Sequence, residues 1–188
     1  MFWWIKARRA HTHLTSAIAV FTLLLSALGD RTVFLPSLAN GATASARLSL
    51  FVPVVVTSVL MICMESRIHA PEVSGTRRIS ILDAALAITV VIICTAIGWA
   101  VGQPAAGRNV LFLTGLLFTA RAIVGKAAVM VPIAWLMTVL FVGFRTASDP
   151  YPWTIVPEPT DATHAVIAAL VMFTVGISCL LRTARNAE

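Results

Sequence analysis

Charged side chains are scarce in this chain. Only 12% of its 188 residues are Asp, Glu, Lys or Arg, against about 25% in an average soluble domain. Hydrophobic residues make up 59% of the chain, and its mean hydropathy is +0.90. So few charges cannot cover a water-exposed surface, and the composition therefore predicts an integral membrane protein. It excludes a soluble enzyme, a nucleic-acid-binding domain and a disordered chain.

Cysteine is also rare, and its placement excludes two kinds of site. Cys63, Cys94 and Cys179 all lie inside apolar runs, with no CxxC pair and no Cys/His ligand spacing. A disulfide framework or a zinc site needs cysteines that can meet each other or other ligands. We expect these three to be small apolar core residues, and we predict no metal site.

Catalytic motifs are missing as well. The sequence has no paired carboxylates, no Ser/His arrangement and no GxSxG. The string closest to a P-loop, ARAIVGKAA, has Ala120 in place of the first glycine and Ala127 after Lys126. We predict that the chain is not an enzyme by itself, has no catalytic residues and binds no cofactor. Any ATP and magnesium would act through a partner.

Six apolar runs are candidates for membrane spans, which need about 17–25 residues each. The fourth and fifth come from one stretch, Val110 to Phe144. As a straight helix this stretch would measure about 50 Å, which exceeds a hydrocarbon core of about 30 Å. We therefore place a turn at Gly125–Lys126. The predicted spans cover residues 14–29, 47–64, 81–101, 109–124, 127–144 and 164–181. The predicted fold is all-α, a six-helix polytopic bundle forming a single domain over residues 1–188.

The basic residues are distributed unevenly between the two sides of this six-span arrangement. Most of the 14 lie on the side of the chain ends and of the loop between the second and third spans. The other side has Arg31, Arg47, Arg108 and Arg145. The positive-inside rule then places both termini in the cytoplasm, in a multi-pass plasma-membrane protein.

Residues 1–13 precede the first predicted span and are amphipathic. The apolar cluster Phe2–Ile5 is followed by Lys6, Arg8 and Arg9. Such a segment can form a helix that lies in the membrane interface. The equally weighted alternative is a basic flank that only fixes the orientation of the first span.

Two predicted loops stand out. The predicted cytoplasmic loop, between the second and third spans, mixes both charge signs. We interpret it as a docking segment for a cytoplasmic partner or as a solvated loop. Its docking candidates are Glu65, Arg67, His69, Glu72, Arg77 and Arg78.

The outer loop, residues 145–162, contains four prolines that prevent a regular helix, and an apolar island between them. We interpret it as a gate or as a packed interfacial loop.

Few ionisable or helix-distorting residues fall within the spans. Asp83 and Arg121 lie at similar membrane depth near the cytoplasmic side and are able to pair. No Asp, Glu or His falls near the middle of a span, which disfavours a proton relay. Pro53 and Pro132 are expected to kink their helices, and Trp135 lies near the middle of the fifth span.

This order of features resembles the membrane subunit of a type V ABC exporter. The resemblance lies in an amphipathic segment at residues 2–9, a coupling loop within residues 65–78, and an outer element at residues 145–162. It implies a permease subunit that pairs with a second membrane subunit, the same or different, and with cytoplasmic ABC ATPases. It also implies ATP-driven export of a hydrophobic or amphipathic small molecule or peptide, with Trp135, Pro53 and Pro132 as candidate path-lining residues.

Two other functions fit the same features. The chain is similar in length to the six-span substrate-binding subunit of vitamin importers, which also depends on partner ATPases. A membrane scaffold or immunity-type protein without a substrate is the alternative from a different functional class.

Overall fold

The computed structural model describes residues 10–29, 31–36, 43–65, 79–146 and 149–185. These residues are mostly helical. The helices are α1 (Ala10–Leu28), α2 (Val52–Glu65), α3 (Ile79–Ala100), α4 (Pro104–Val124), α5 (Val131–Val142) and α6 (Thr163–Arg185). Short 3₁₀ helices cover Leu48–Leu50, Gly125–Met130 and Pro152–Thr154. Strands β1 (Thr32–Pro36) and β2 (Thr43–Arg47) form an antiparallel hairpin in which Thr32 pairs with Arg47.

Within the described residues, four helical stretches are long and apolar enough to cross a membrane. They are Leu48–Glu65, Ser80–Ala100, Pro104–Val142 and Thr163–Thr183, with α1 as a shorter apolar helix. Large apolar side chains on α3 and α6 face outwards, including Ile88, Ile92, Trp99, Ile167, Leu170 and Val171. Exposed apolar faces of this extent require a non-aqueous surrounding. The chain is therefore a membrane-embedded helical protein.

The longest of these stretches, 39 residues from Pro104 to Val142, reverses direction at Gly125. This glycine has φ 63° and ψ −129°, the values of the first central residue of a type II′ turn. The ring centroids of Phe112 and Trp135 lie 5.7 Å apart, whereas a straight helix would separate these residues by about 35 Å. The Gly125–Met130 3₁₀ segment and α5 thus return along α4, and each arm is about 30 Å long.

Because a side chain at φ 63° is strained, the turn depends on Gly125. We expect Gly125→Ala to lower the free energy of unfolding by about 1 kcal/mol. Lys126→Ala, which changes the next and exposed residue, is the control and should leave stability within about 0.5 kcal/mol. Thermal unfolding in detergent measures both. Equal stability of the two variants would contradict a turn of this geometry.

Helix α4 is the centre of the bundle, since it packs against α2, α3, α5 and α6. One core cluster joins it to α1, α2 and α3, and includes Phe21, Leu60, Met61, Val90, Leu117 and Phe118. A second cluster lies near the start of α4 and joins it to α5, β2 and residue Val156. We call this the Arg108 end of the bundle, and the opposite end the Gly125 end.

Helices α4 and α6 touch backbone to backbone. A Cβ atom built on Gly115 would lie 2.5 Å from the carbonyl carbon and oxygen of Met172 and from the backbone nitrogen of Phe173. A Cβ on Gly176 would lie 2.5 Å from the carbonyl oxygen of Gly115. Small residues permit this approach, and it brings the helix axes close enough for extensive van der Waals contact.

Several helix bounds differ from those predicted. Helix α4 begins at Pro104 rather than at residue 109, because proline is favoured in the first turn of a helix. Pro53 and Pro132 likewise lie in the first turns of α2 and α5, and that they kink their helices stays a prediction. The β hairpin was not predicted.

The N-terminal and cytoplasmic-loop predictions fall mainly outside the described residues. Residues 1–9 are not among those described, and residues 10–13 belong to α1. Glu65 is the last residue of α2. Arg67, His69, Glu72, Arg77 and Arg78 lie outside the described residues.

Candidate functional site

The three residues predicted to line a path are not brought together. Pro53 is buried at the start of α2, which lies at the Arg108 end, and Pro132 is buried at the start of α5, which lies towards the Gly125 end. Trp135 is half-buried, and its ring lies between those of Phe112 and Trp153, at centroid distances of 5.7 and 6.0 Å. Of the three, Trp135 is the residue whose ring packs against other aromatic rings in the described part of the chain.

The two charges predicted at membrane depth lie near the Gly125 end. Asp83 is fully buried on α3. Arg121 is partly buried on α4, and its Nη1 atom lies 3.5 Å from Sδ of Met61. An ion pair between Asp83 and Arg121 stays a prediction.

The described residues contain a buried polar cluster centred on Arg108, a residue predicted to lie just before the fourth span. Its side chain is 9% exposed. Nη1 donates to the carbonyl oxygen of Pro159 at 2.8 Å, and Nη2 donates to those of Glu158 at 2.6 Å and Val156 at 3.3 Å. Asn109 adds a bond from Nδ2 to the carbonyl oxygen of Val156 at 3.0 Å. One guanidinium and one carboxamide thus hold three backbone acceptors of the proline-rich loop, those of residues 156, 158 and 159.

We call residues 155–159 the plug segment. Its Pro157 and Pro159 lack an N–H group, so the segment offers mainly acceptors to the donors of α4. Glu158 is also buried, and its carboxylate lies 3.6 Å from Nε2 of His164 at the start of α6. The segment therefore links α4, near its start, to the first turn of α6.

The plug segment begins with an unusual backbone turn. Ile155 has φ 48° and ψ −52°, and the N–H of Val156 donates to the carbonyl oxygen of Thr154 across it. This is a classic γ-turn, which is rare and strained for a β-branched residue. A backbone of this kind costs about 1–3 kcal/mol and persists only where its surroundings hold it. Here the bonds from Arg108 and Asn109 hold it.

Apolar contacts also hold the plug segment in place. Val156 is fully buried in the second core cluster, with Phe112, Leu113, Leu136 and Leu140. Thr154 is fully buried too, and its methyl carbon would lie 2.7 Å from a Cβ on Gly143. We call the surface that receives the plug segment the Arg108 groove, formed by Arg108, Asn109, Phe112, Leu113 and Trp135.

Two buried polar atoms in the described part of the chain have no hydrogen-bond partner. They are Oγ1 of Thr114 on α4 and Nε1 of Trp135 on α5. A buried donor without an acceptor costs about 1–3 kcal/mol. The Trp135 indole therefore adds an unused donor to the Arg108 groove.

The chemical groups that line the groove are hydrogen-bond donors and apolar side chains. The groove presents N–H donors above an apolar and aromatic floor, and within the described residues no three His, Cys, Asp or Glu side chains group as metal ligands. Cys63 and Cys94 are buried and Cys179 is half-buried. One sequence signal, Pro104 as a first-turn proline, would have placed Arg108 inside a helix.

No protein-family model, curated protein or solved structure matches this chain. The function must therefore be inferred from its own residues.

Proposed function

We propose that this chain is the six-span permease subunit of an ATP-driven ABC transporter, with both termini in the cytoplasm. Its cargo would be a hydrophobic or amphipathic small molecule or peptide. The main support for the proposal is that the chain reverses its direction at Gly125, where φ is 63°. The six crossings are the 19-residue α1, α2, α3, α4, the returning arm that includes α5, and α6. An even number of crossings puts both ends of the chain on one side.

The positions of the basic residues support this orientation. Lys126 and Arg182 lie at the Gly125 end, and residues 66–78, which connect α2 to α3 at that end, include Arg67, Arg77 and Arg78. Arginine and lysine are concentrated on the cytoplasmic side of membrane proteins. The Gly125 end would therefore face the cytoplasm, where an ATPase subunit can bind.

An ATPase partner is the most direct consequence of the proposal. Since the sequence has no P-loop, the energy for transport must come from another chain. We expect a P-loop ATPase to be recovered in about equal amount when the tagged protein is purified gently from its own host. Mass spectrometry of the purified complex is the measurement. Recovery of the chain alone would contradict the proposal and favour a scaffold or a lone binding protein.

A pair of variants locates the docking segment. We expect Arg77→Ala with Arg78→Ala to reduce recovery of the ATPase at least fivefold, because both residues lie in the sequence between α2 and α3, where a coupling segment is predicted. The matched control is Arg31→Ala with Arg47→Ala at the Arg108 end, which should leave recovery unchanged. Equal losses from the two pairs would contradict docking through residues 65–78.

A further inference from the structure

The plug segment of the protein itself fills the Arg108 groove. Its contacts therefore show which chemical groups the groove binds. The plug segment places an apolar side chain, Val156, on the floor formed with Phe112 and Leu113. Above that floor, its carbonyl oxygens accept from Arg108 and Asn109. The groove thus holds a bent segment through one apolar side chain and through free backbone acceptors.

The plug segment does not satisfy the groove completely. Nε1 of Trp135 finds no acceptor among the described residues, although Trp135 contacts Trp153 just before the plug segment. The segment is also held through the positive φ of Ile155, 48°, a conformation that a free peptide need not adopt. An unused donor and a strained occupant both favour replacement by a better ligand.

We propose that the Arg108 groove is a binding site for a short, bent peptide with apolar side chains, and that residues 155–159 occupy it as a built-in competitor. A peptide would place its carbonyl or terminal carboxylate oxygens on Arg108 and Asn109. Its apolar side chain would replace Val156. A carboxylate would gain more than a peptide carbonyl, because guanidinium binds it through two parallel charge-assisted bonds.

A peptide site in the groove would identify both the cargo of the proposed transporter and the place where it binds. That the bound peptide is a cargo rests on the proposed function. Binding itself needs no ATPase. The test therefore uses the full-length chain alone in detergent. Peptide binding by a chain that recovers no ATPase would leave the groove assignment standing and contradict only the transporter proposal.

The probe is a fluorescently labelled peptide of sequence TIVPEP, which copies residues 154–159, with a free carboxyl terminus. The tethered plug segment competes at high effective concentration, so wild-type protein should bind the probe weakly. In a variant whose residues 155–159 are replaced by GSGSG, we expect the Kd to fall at least tenfold. Fluorescence anisotropy measures it, and a scrambled peptide is the probe control.

Further substitutions in the GSGSG background identify the groove. Arg108→Met and Asn109→Ala should each raise the Kd at least fivefold, because they remove the donors that bind the acceptor oxygens. The control is Arg182→Met, at an exposed position on α6, which should leave the Kd unchanged. Equal affinity of wild-type and GSGSG proteins, or no effect of Arg108→Met, would overturn the proposal.

A second measurement keeps the proposal testable if the GSGSG variant does not fold. Val156 is fully buried, so Val156→Cys should react slowly with a water-soluble maleimide. Saturating TIVPEP peptide should accelerate labelling at least fivefold by displacing the plug segment, whereas the scrambled peptide should not. A labelling rate that saturating peptide leaves unchanged would mean that the groove takes no competing peptide.

Discussion

Replacing Arg108 with methionine is expected to destabilise the protein by about 3 kcal/mol. Methionine keeps an unbranched side chain but removes every donor, so the carbonyl groups of Val156, Glu158 and Pro159 lose the guanidinium that they accept from. Glu158 also loses the nearby cation that interacts with it electrostatically. The plug segment would then leave the groove or remain there with unsatisfied carbonyl groups.

Thermal unfolding in detergent measures this loss. A change of about 3 kcal/mol corresponds to a Tm lower by about 6–12 °C in a chain of this size. Arg182→Met is the matched control, because it removes an exposed arginine on α6, and its Tm should change by less than about 2 °C. Arg108→Lys should fall between the two, since lysine keeps the charge but cannot reach three acceptors as a planar fork. A Tm for Arg108→Met equal to that of the control would contradict the structural role of Arg108.

Gly115→Val is expected to have an effect of similar size, for a steric reason. Its Cβ would lie 2.5 Å from backbone atoms of Met172 and Phe173, and backbone in the middle of α6 cannot move aside as a flexible side chain can. Overpacking a core costs about 1–3 kcal/mol, and more where the neighbour is rigid. Helices α4 and α6 would have to separate, so we expect a loss of at least about 3 kcal/mol.

The control for the glycine contact is Ala122→Val, which enlarges an exposed position of the same helix. It should change stability by less than about 0.5 kcal/mol. Size-exclusion chromatography and thermal unfolding compare the two variants. Retention of a monodisperse peak and a wild-type Tm by Gly115→Val would show that α4 and α6 do not approach through Gly115.

Helix positions followed from the sequence because apolar length is a strong signal in a membrane protein. The predicted third span, residues 81–101, and the observed α3 (Ile79–Ala100) differ by only one or two residues at each end. The reversal at Gly125 coincides with the turn placed there, because a straight helix of that length exceeds a bilayer. Hydropathy carries no comparable signal for the β hairpin, whose strands have only five residues each.

The Arg108 groove was harder to predict, because it depends on contacts between distant parts of the sequence. Arg108 and Glu158 are separated by 50 positions, and nothing local to either residue indicates that they meet. The four prolines did predict a loop that avoids regular helix. They could not show that its carbonyl groups turn towards α4, since that requires the packing of Val156 against Phe112 and Leu113.

We propose that the chain crosses the membrane six times, with the Arg108 and Gly125 ends on opposite sides. Labelling of single cysteines by a membrane-impermeant maleimide tests it most directly, in intact cells and in inverted vesicles of a Cys179→Ala background. With six crossings, Lys126→Cys and Arg182→Cys should react only in inverted vesicles, and Asp161→Cys should react only in intact cells. If residues 104–142 formed a single crossing, Lys126→Cys would lie within the membrane and react in neither, which would contradict the account.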